Sequence, residues 1–203
     1  SFRGRSTIVL ALGTGPDVDL VAIDPHGGGD RGPGEIAPDA ARGAADLAAF
    51  RANLAAAGVT GRVRHVRRES RDAHREVSGE IDLLYIDGAH RYGPARADVV
   101  GWGSRVSGGG VMLVHDAFSS VGVTLALLTT VARGRDFRYI GRTGSMAQYR
   151  RERLGRRDRL VNAVRHLLLL PWFARNLTVK ALLVMRLRPL ARLLGHTTGD
   201  WPY

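Results

Sequence analysis

Apolar positions along this chain alternate between short continuous runs and longer stretches spaced by three and four. Residues 6–12, STIVLAL, predict a helix capped by Ser6 or Thr7. LVAID (20–24) predicts a strand ending at Asp24, and the glycine-rich HGGGDRGPG (26–34) a loop. Residues 38–57 place Leu47, Phe50 and Leu54 on one helical face, with Gly58 as the stop. RVRHV (62–66) reads as a strand and SRDAHREV (70–77) as a short helix. IDLLYIDGAHRY, Ile81 to Tyr92, opens as a nearly continuous apolar run, suited to a central strand covered on both faces. It closes on Asp87, Gly88, His90 and Tyr92. Residues 93–105 are helical in pattern, and GGGVMLVHD (108–116) is a glycine turn feeding a buried strand that ends at His115 and Asp116. Residues 119–133 predict another helix, and FRYIG (137–141) and SMAQYR (145–150) two strands joined by a tight RTG turn.

The alternation predicts an α/β domain over residues 1–150, doubly wound around a mostly parallel sheet with an antiparallel C-terminal strand. Such a domain needs a strand feeding its first helix, and only five residues precede Ser6, so the first strand is expected to be missing and the chain to be N-terminally truncated. Residues 151–203 differ in kind and predict a basic, amphipathic helical extension. There, Leu160, Val161, Val164, Leu167 and Leu168 share one helical face, opposite Arg159, Asn162, Arg165 and His166. A second apolar segment, 176–194, is punctuated by Lys180, Arg186, Arg188 and Arg192 and interrupted by Pro189.

Composition narrows the chemistry. The chain has no cysteine, which excludes disulfides, a thiolate nucleophile and zinc–thiolate sites. Lys180 is its one lysine among 30 basic residues, a bias that discounts the high isoelectric point as a sign of nucleic-acid binding. The excess charge sits in the tail, where residues 151–203 carry a net +8 of the total +11. No signal peptide is recognisable, and the most apolar stretch, LLLLPWFA (167–174), is broken by Pro171, so no membrane span is expected.

SFRGRSTIVLA, AIDPH, IDLLYIDGAHRY and GGGVMLVHD stand in the order and spacing of a known family. The chain resembles class I S-adenosylmethionine (SAM)-dependent methyltransferases, of Rossmann-like fold. It is most similar to the subgroup with IDG-x-H-x-Y and a later GG-(x)-HD, which includes small-molecule and sugar O-methyltransferases. The resemblance covers residues 1–150. Of the first family motif only the second half is present, as Ser1, Gly4, Ser6 and Thr7.

The resemblance implies a SAM site and an acceptor site. Ser1, Gly4 and Ser6, at a helix start whose N–H groups suit an anion, would hold the methionine carboxylate. Asp24, at a strand end, would accept from the ribose hydroxyls, and Glu69 and Ser70 would contact adenine. Asp87, His115 and Asp116 would hold Mg²⁺, or, because His115 stands where relatives have an acid, a softer metal or none. His90 is the candidate general base and His115 the competing one. Tyr92 and Trp102 read as packing residues, and His26, His65, His74, His166 and His196 as structural or surface residues.

The expected activity is methyl transfer from SAM to a hydroxyl of a sugar, a glycolipid precursor or a secondary metabolite. The competing readings are a binding or scaffold protein that keeps the fold without catalysis and, further behind, a nucleic-acid methyltransferase. The Asn/Asp-Pro-Pro-Tyr signature of base-amino methyltransferases is absent, and no complete G-x-G-x-x-G supports a nicotinamide oxidoreductase. The tail is expected to contact an anionic membrane surface or to mediate self-association, with nucleic acid disfavoured. The expected location is the cytoplasm, and, where the tail contacts lipid, the inner face of the membrane.

Overall fold

A computed structural model describes residues 2–29 and 37–197. Ser1 and part of the expected 26–34 loop lie outside the described residues. The chain divides into two compact units, Ser1–Gly79 and Glu80–Tyr203.

In the first unit α1 (Arg5–Gly13) precedes β1 (Leu20–Ile23), α2 (Ala40–Ala56) and β2 (Val63–Val66). β1 and β2 pair in parallel, with Leu20 opposite Val63 and Ile23 opposite Val66. α2 forms where its apolar spacing predicts, and Asp39 caps it by accepting from the Arg42 N–H at 3.0 Å. Its inner face brings Phe50 and Leu54 against Ala11, Ala22 and Val59. Two expectations fail here. α1 is entered through Gly4 in a left-handed conformation, so Gly4 takes the cap position expected of Ser6 or Thr7. The segment 70–77 is two single 3₁₀ turns, Ser70–Asp72 and His74–Glu76, for it has no apolar face long enough to stabilise a helix.

The second unit holds β3 (Ile81–Ile86), α3 (Tyr92–Gly101), β4 (Val106–Val114), α4 (Val121–Thr130), β5 (Phe137–Thr143) and β6 (Met146–Arg151). Three helices follow: α5 (Arg156–Leu167), α6 (Leu170–Val184) and α7 (Arg188–Leu193). The sheet order is β3-β4-β6-β5, with β3 parallel to β4 and β6 antiparallel to both of its neighbours. The mixed α/β architecture therefore matches the expected class, but the described strands form two sheets and not one continuous sheet. β3 is an edge strand among the described residues, and Leu83 is 41% exposed, so it is not the central, doubly covered strand its composition suggests. Met112, Val114, Phe118, Leu127 and Tyr149 form the core.

The C-terminal helices belong to this second unit. α5 packs through its polar face. Asn162 accepts from the Tyr139 N–H at 2.7 Å and donates to the carbonyls of Phe137 and Val131, both at 3.2 Å. His166 is fully buried, stacked on Tyr149, with its Nδ1 2.7 Å from the Asn162 carbonyl. A carbonyl only accepts, so Nδ1 carries the hydrogen and Nε2 accepts from the Tyr149 hydroxyl at 3.2 Å. Burial lowers the pKa of His166 and keeps it neutral.

The helical run is interrupted by a turn at Leu168 and Leu169, just before Pro171, as the proline led one to expect. Pro171 itself sits in the first turn of α6, where its missing N–H leaves no bond unmade. Taken across that turn, Arg156–Val184 is nevertheless long and apolar enough to cross a membrane by length and composition, where no span was expected, and 11% of its most apolar window is buried.

Candidate active site

The second unit builds one cluster at the carboxyl ends of two parallel strands. Ile86 lies opposite Val114, so the residues that follow, Asp87 and His115, emerge side by side. The His115 N–H extends the ladder by one bond, to the Ile86 carbonyl at 2.9 Å. The chain then reverses sharply, with Asp116 and Phe118 both left-handed at φ 54° and 57°. Non-glycine residues rarely adopt this conformation, though Asp tolerates it better than most. The reversal turns the Asp116 carboxylate inward, leaving its side chain 5% exposed.

Two imidazoles converge on that carboxylate. His90 Nε2 lies 2.9 Å from Asp116 Oδ2, and His115 Nδ1 3.2 Å from the same oxygen. His115 Nδ1 is also 3.5 Å from Asp87 Oδ1, and the Tyr85 hydroxyl donates to Asp87 Oδ2 at 3.3 Å. The hydrogen bond to Asp116 raises the pKa of both histidines against the opposing effect of burial, and the charge of Asp87 adds to it. Burial works against the charge of Asp116, but the attraction of the two imidazoles overcomes it and holds this carboxyl well below the usual range. Asp116 stays ionised.

Three features that sequence reasoning missed hold this cluster in place. Asn176 of α6 donates to the Phe118 carbonyl at 3.0 Å, and Lys180 donates to the Ser119 carbonyl at 2.8 Å. The tail thus bonds directly to the strained reversal after Asp116. That Lys180 is the one lysine of the sequence was the only available signal. Gly122, in the first turn of α4, lets the His90 backbone approach closely, since a Cβ there would lie 2.1 Å from the His90 carbonyl oxygen.

Asp87, His90 and Asp116 can each place one ligand atom within 4.8 Å of the others. The metal-capable set therefore includes His90, where the sequence reading chose His115. These residues fit a divalent cation: two carboxylates and an imidazole are a suitable donor set, and Asp116 Oδ1 is buried without a hydrogen-bond partner among the described residues.

The remaining predicted residues lie in the first unit. Asp24 Oδ2 accepts from the Phe2 N–H at 2.8 Å and Oδ1 from the His26 N–H at 2.7 Å. It thereby ties the turn before α1 to the end of β1. Gly4 makes that turn possible, because its φ of 89° is one that residues with a Cβ rarely adopt. Ser6 stands in the first turn of α1. Glu69 is exposed, and Ser70 half-buried, just beyond β2. Ser1 lies outside the described residues. His26 and His65 pack on Phe50, with ring centroids 5.4 and 4.8 Å away. Both read as structural, as expected.

Paired parallel strands thus deliver two acids and two imidazoles to their carboxyl ends, the edge at which α/β proteins bind their ligands. A family model described as a methyltransferase domain matches residues 1–117, more than half the chain, and the chain belongs to that family of SAM-dependent methyltransferases. Solved structures share the fold. The O-methyltransferase NovP superposes with a TM-score of 0.55 at 18% identity, covering 75% of this chain and 69% of that one. Cofactor-bound Rv0187 from MTB gives 0.53 at 22%, covering 75% and 70%. The calicheamicin methyltransferase CalS11 gives 0.52 at 18%, covering 73% and 68%. No curated protein matches the sequence.

Proposed function

We propose that this protein is an O-methyltransferase that moves the methyl group of SAM to a hydroxyl of a small molecule, such as a sugar, a glycolipid precursor or a secondary metabolite. The observation that carries this reading is the 2.9 Å contact between His90 and the buried Asp116 at the end of a parallel strand pair. Asp116 receives the Nε2 hydrogen of His90, which leaves Nδ1 as the basic atom of the neutral ring. In the reaction the acceptor oxygen attacks the sulfonium methyl and the carbon–sulfur bond breaks. The hydroxyl proton passes to His90 Nδ1, and S-adenosylhomocysteine leaves. Asp116 stabilises the imidazolium that forms. The fold shared with the O-methyltransferase NovP supports oxygen as the acceptor atom.

In the first unit, Asp24 and the helix start at Gly4 and Ser6 are assigned to SAM, as ribose acceptor and carboxylate site, with Glu69 and Ser70 at adenine. The metal-capable set, when loaded, would be Asp87, His90 and Asp116, and the cation would polarise the acceptor hydroxyl. His90 cannot serve that cation through Nε2 while donating the same hydrogen to Asp116. At Nε2, metal ligation thus competes with the hydrogen bond to Asp116 that orients the base.

The test is methyl transfer from radiolabelled SAM to a panel of sugars and phenols, alongside calorimetry of SAM binding. Transfer to oxygen that is lost in His90→Ala, with SAM binding kept, supports the assignment. SAM binding without transfer to any acceptor favours a binding protein. Transfer that survives His90→Ala and Asp116→Asn would remove the basis for the proposed base.

A further inference from the structure

The outer surface of the C-terminal helices reverses the usual polarity. α5 turns Asn162 and His166 toward the sheet and leaves Leu160, Val161, Val164, Leu167 and Leu168 between 41 and 72% exposed. A helix on the surface of a soluble domain ordinarily presents the opposite pattern. Contiguous exposed aliphatic side chains of this kind mark a surface that another phase or partner covers. α7 repeats the theme on a smaller scale. Leu190 and Leu193 are exposed, Leu193 at 82%, beside Arg186, Arg188 and Arg192, which are exposed as well. From Arg153 to Thr197 the sequence has nine arginines and one lysine against a single acid, Asp158. That acid is already paired with Arg138 at 3.4 Å.

We propose that the outer faces of α5 and α7 rest on an anionic phospholipid surface, their leucines entering the acyl boundary and their arginines meeting headgroup phosphates. The charge pattern selects this occupant. A second copy packed helix face to helix face would bring like charges together, with Asp158, already paired, as the acid between Arg153 and Thr197. A nucleic acid would satisfy the arginines and leave the leucines in water. Crossing the bilayer, for which Arg156–Val184 has the length, would tear Asn162, His166 and Asn176 from their bonds to the folded unit. It would also carry Arg165, Arg175 and Lys180 into hydrocarbon. The helices therefore lie along the surface. This inference is independent of the methyl-transfer reading, because it rests on residues that take no part in that chemistry.

Flotation of the full chain with phosphatidylcholine vesicles, with and without added phosphatidylglycerol, tests it. The protein is expected to float with the anionic vesicles alone and to be released by high salt. Replacing Arg186, Arg188 and Arg192 together by alanine should weaken binding on the order of 100-fold. Replacing Leu160, Leu167 and Leu168 together by serine should abolish flotation while circular dichroism and gel-filtration volume stay unchanged. Absence of flotation, equal flotation with neutral vesicles, or binding that resists alkaline carbonate would each overturn the proposal. So would a serine variant that elutes as a smaller species, since that outcome would identify the face as a self-interface.

Discussion

Each of the two units places an aspartate at a strand end beside two histidines, and the two arrangements are opposite in sense. In the first, His26 is the buried partner at 4% exposure, and burial lowers the pKa of both His26 and His65 despite the nearby charge of Asp24. The Asp24 carboxylate is occupied with backbone N–H groups. In the second, Asp116 is the buried partner, while His90 and His115 are 41 and 32% exposed and their pKa values are raised. Which member of an acid–imidazole pair is desolvated decides its use. A buried imidazole is a neutral packing element. An exposed imidazole beside a buried carboxylate is placed to take up a proton.

The largest expected effect comes from removing the charge that distinguishes the second cluster. Asp116→Asn keeps the side-chain shape and tolerates the left-handed backbone, so the reversal should persist. We expect kcat/KM for methyl transfer to fall by roughly 10²–10⁴. In the metal-free enzyme, the acidic limb of the pH–rate profile should move to lower pH, because His90 loses the bond that raises its pKa. An unmoved limb would place the base elsewhere.

Next is Gly122→Ala, whose methyl would meet the His90 carbonyl oxygen and force that loop outward. A stability loss of about 1–3 kcal/mol by denaturant melts is expected, with kcat falling and SAM affinity, assigned to the other unit, unchanged. Asn176→Ala removes the bond to the Phe118 carbonyl and leaves that buried acceptor unpaired, at a cost of about 1–3 kcal/mol. In this variant kcat should drop more than KM rises, as expected for a residue that positions Asp116 without touching substrate.

The smallest effect is a contrast in pH response. His26 and His65 have lowered pKa values in the folded chain. They contribute stability that is complete above the unfolded value of about 6.5 and is lost as pH falls toward their folded values. His90 and His115 have raised values, so their contribution is complete below about 6.5 and is lost as pH rises through the folded values. Hydrogen exchange by segment should therefore show protection around β1 and β2 weakening on acidification. Protection around the ends of β3 and β4 should weaken on alkalinisation. Parallel responses in the two regions would erase the distinction drawn between them.

Much of the local structure was legible. Alternation and apolar runs placed all six strands of the described residues to within a few residues, and Gly58 and Gly144 sit where helix and hairpin boundaries demand them. The gathering of Asp87, His90, His115 and Asp116 at one place was legible too, because the motif places those residue types directly after two strands. The 70–77 segment was misread since its polar residues fit a helix no better than successive turns.

The sequence by itself determined the periodicities, the alternation of strands and helices, and the set of side chains able to hold or move a proton. Only the tertiary structure decided which imidazole meets which carboxylate, because the reversal at Asp116 and Phe118 aims that side chain, and the reversal is secured by Asn176 and Lys180 some sixty residues later. The same holds for the orientation of α5. A helical repeat defines two faces without saying which turns inward, and here the polar face won, since its asparagine and histidine could bond to the carbonyls and tyrosines of β5, β6 and their neighbours.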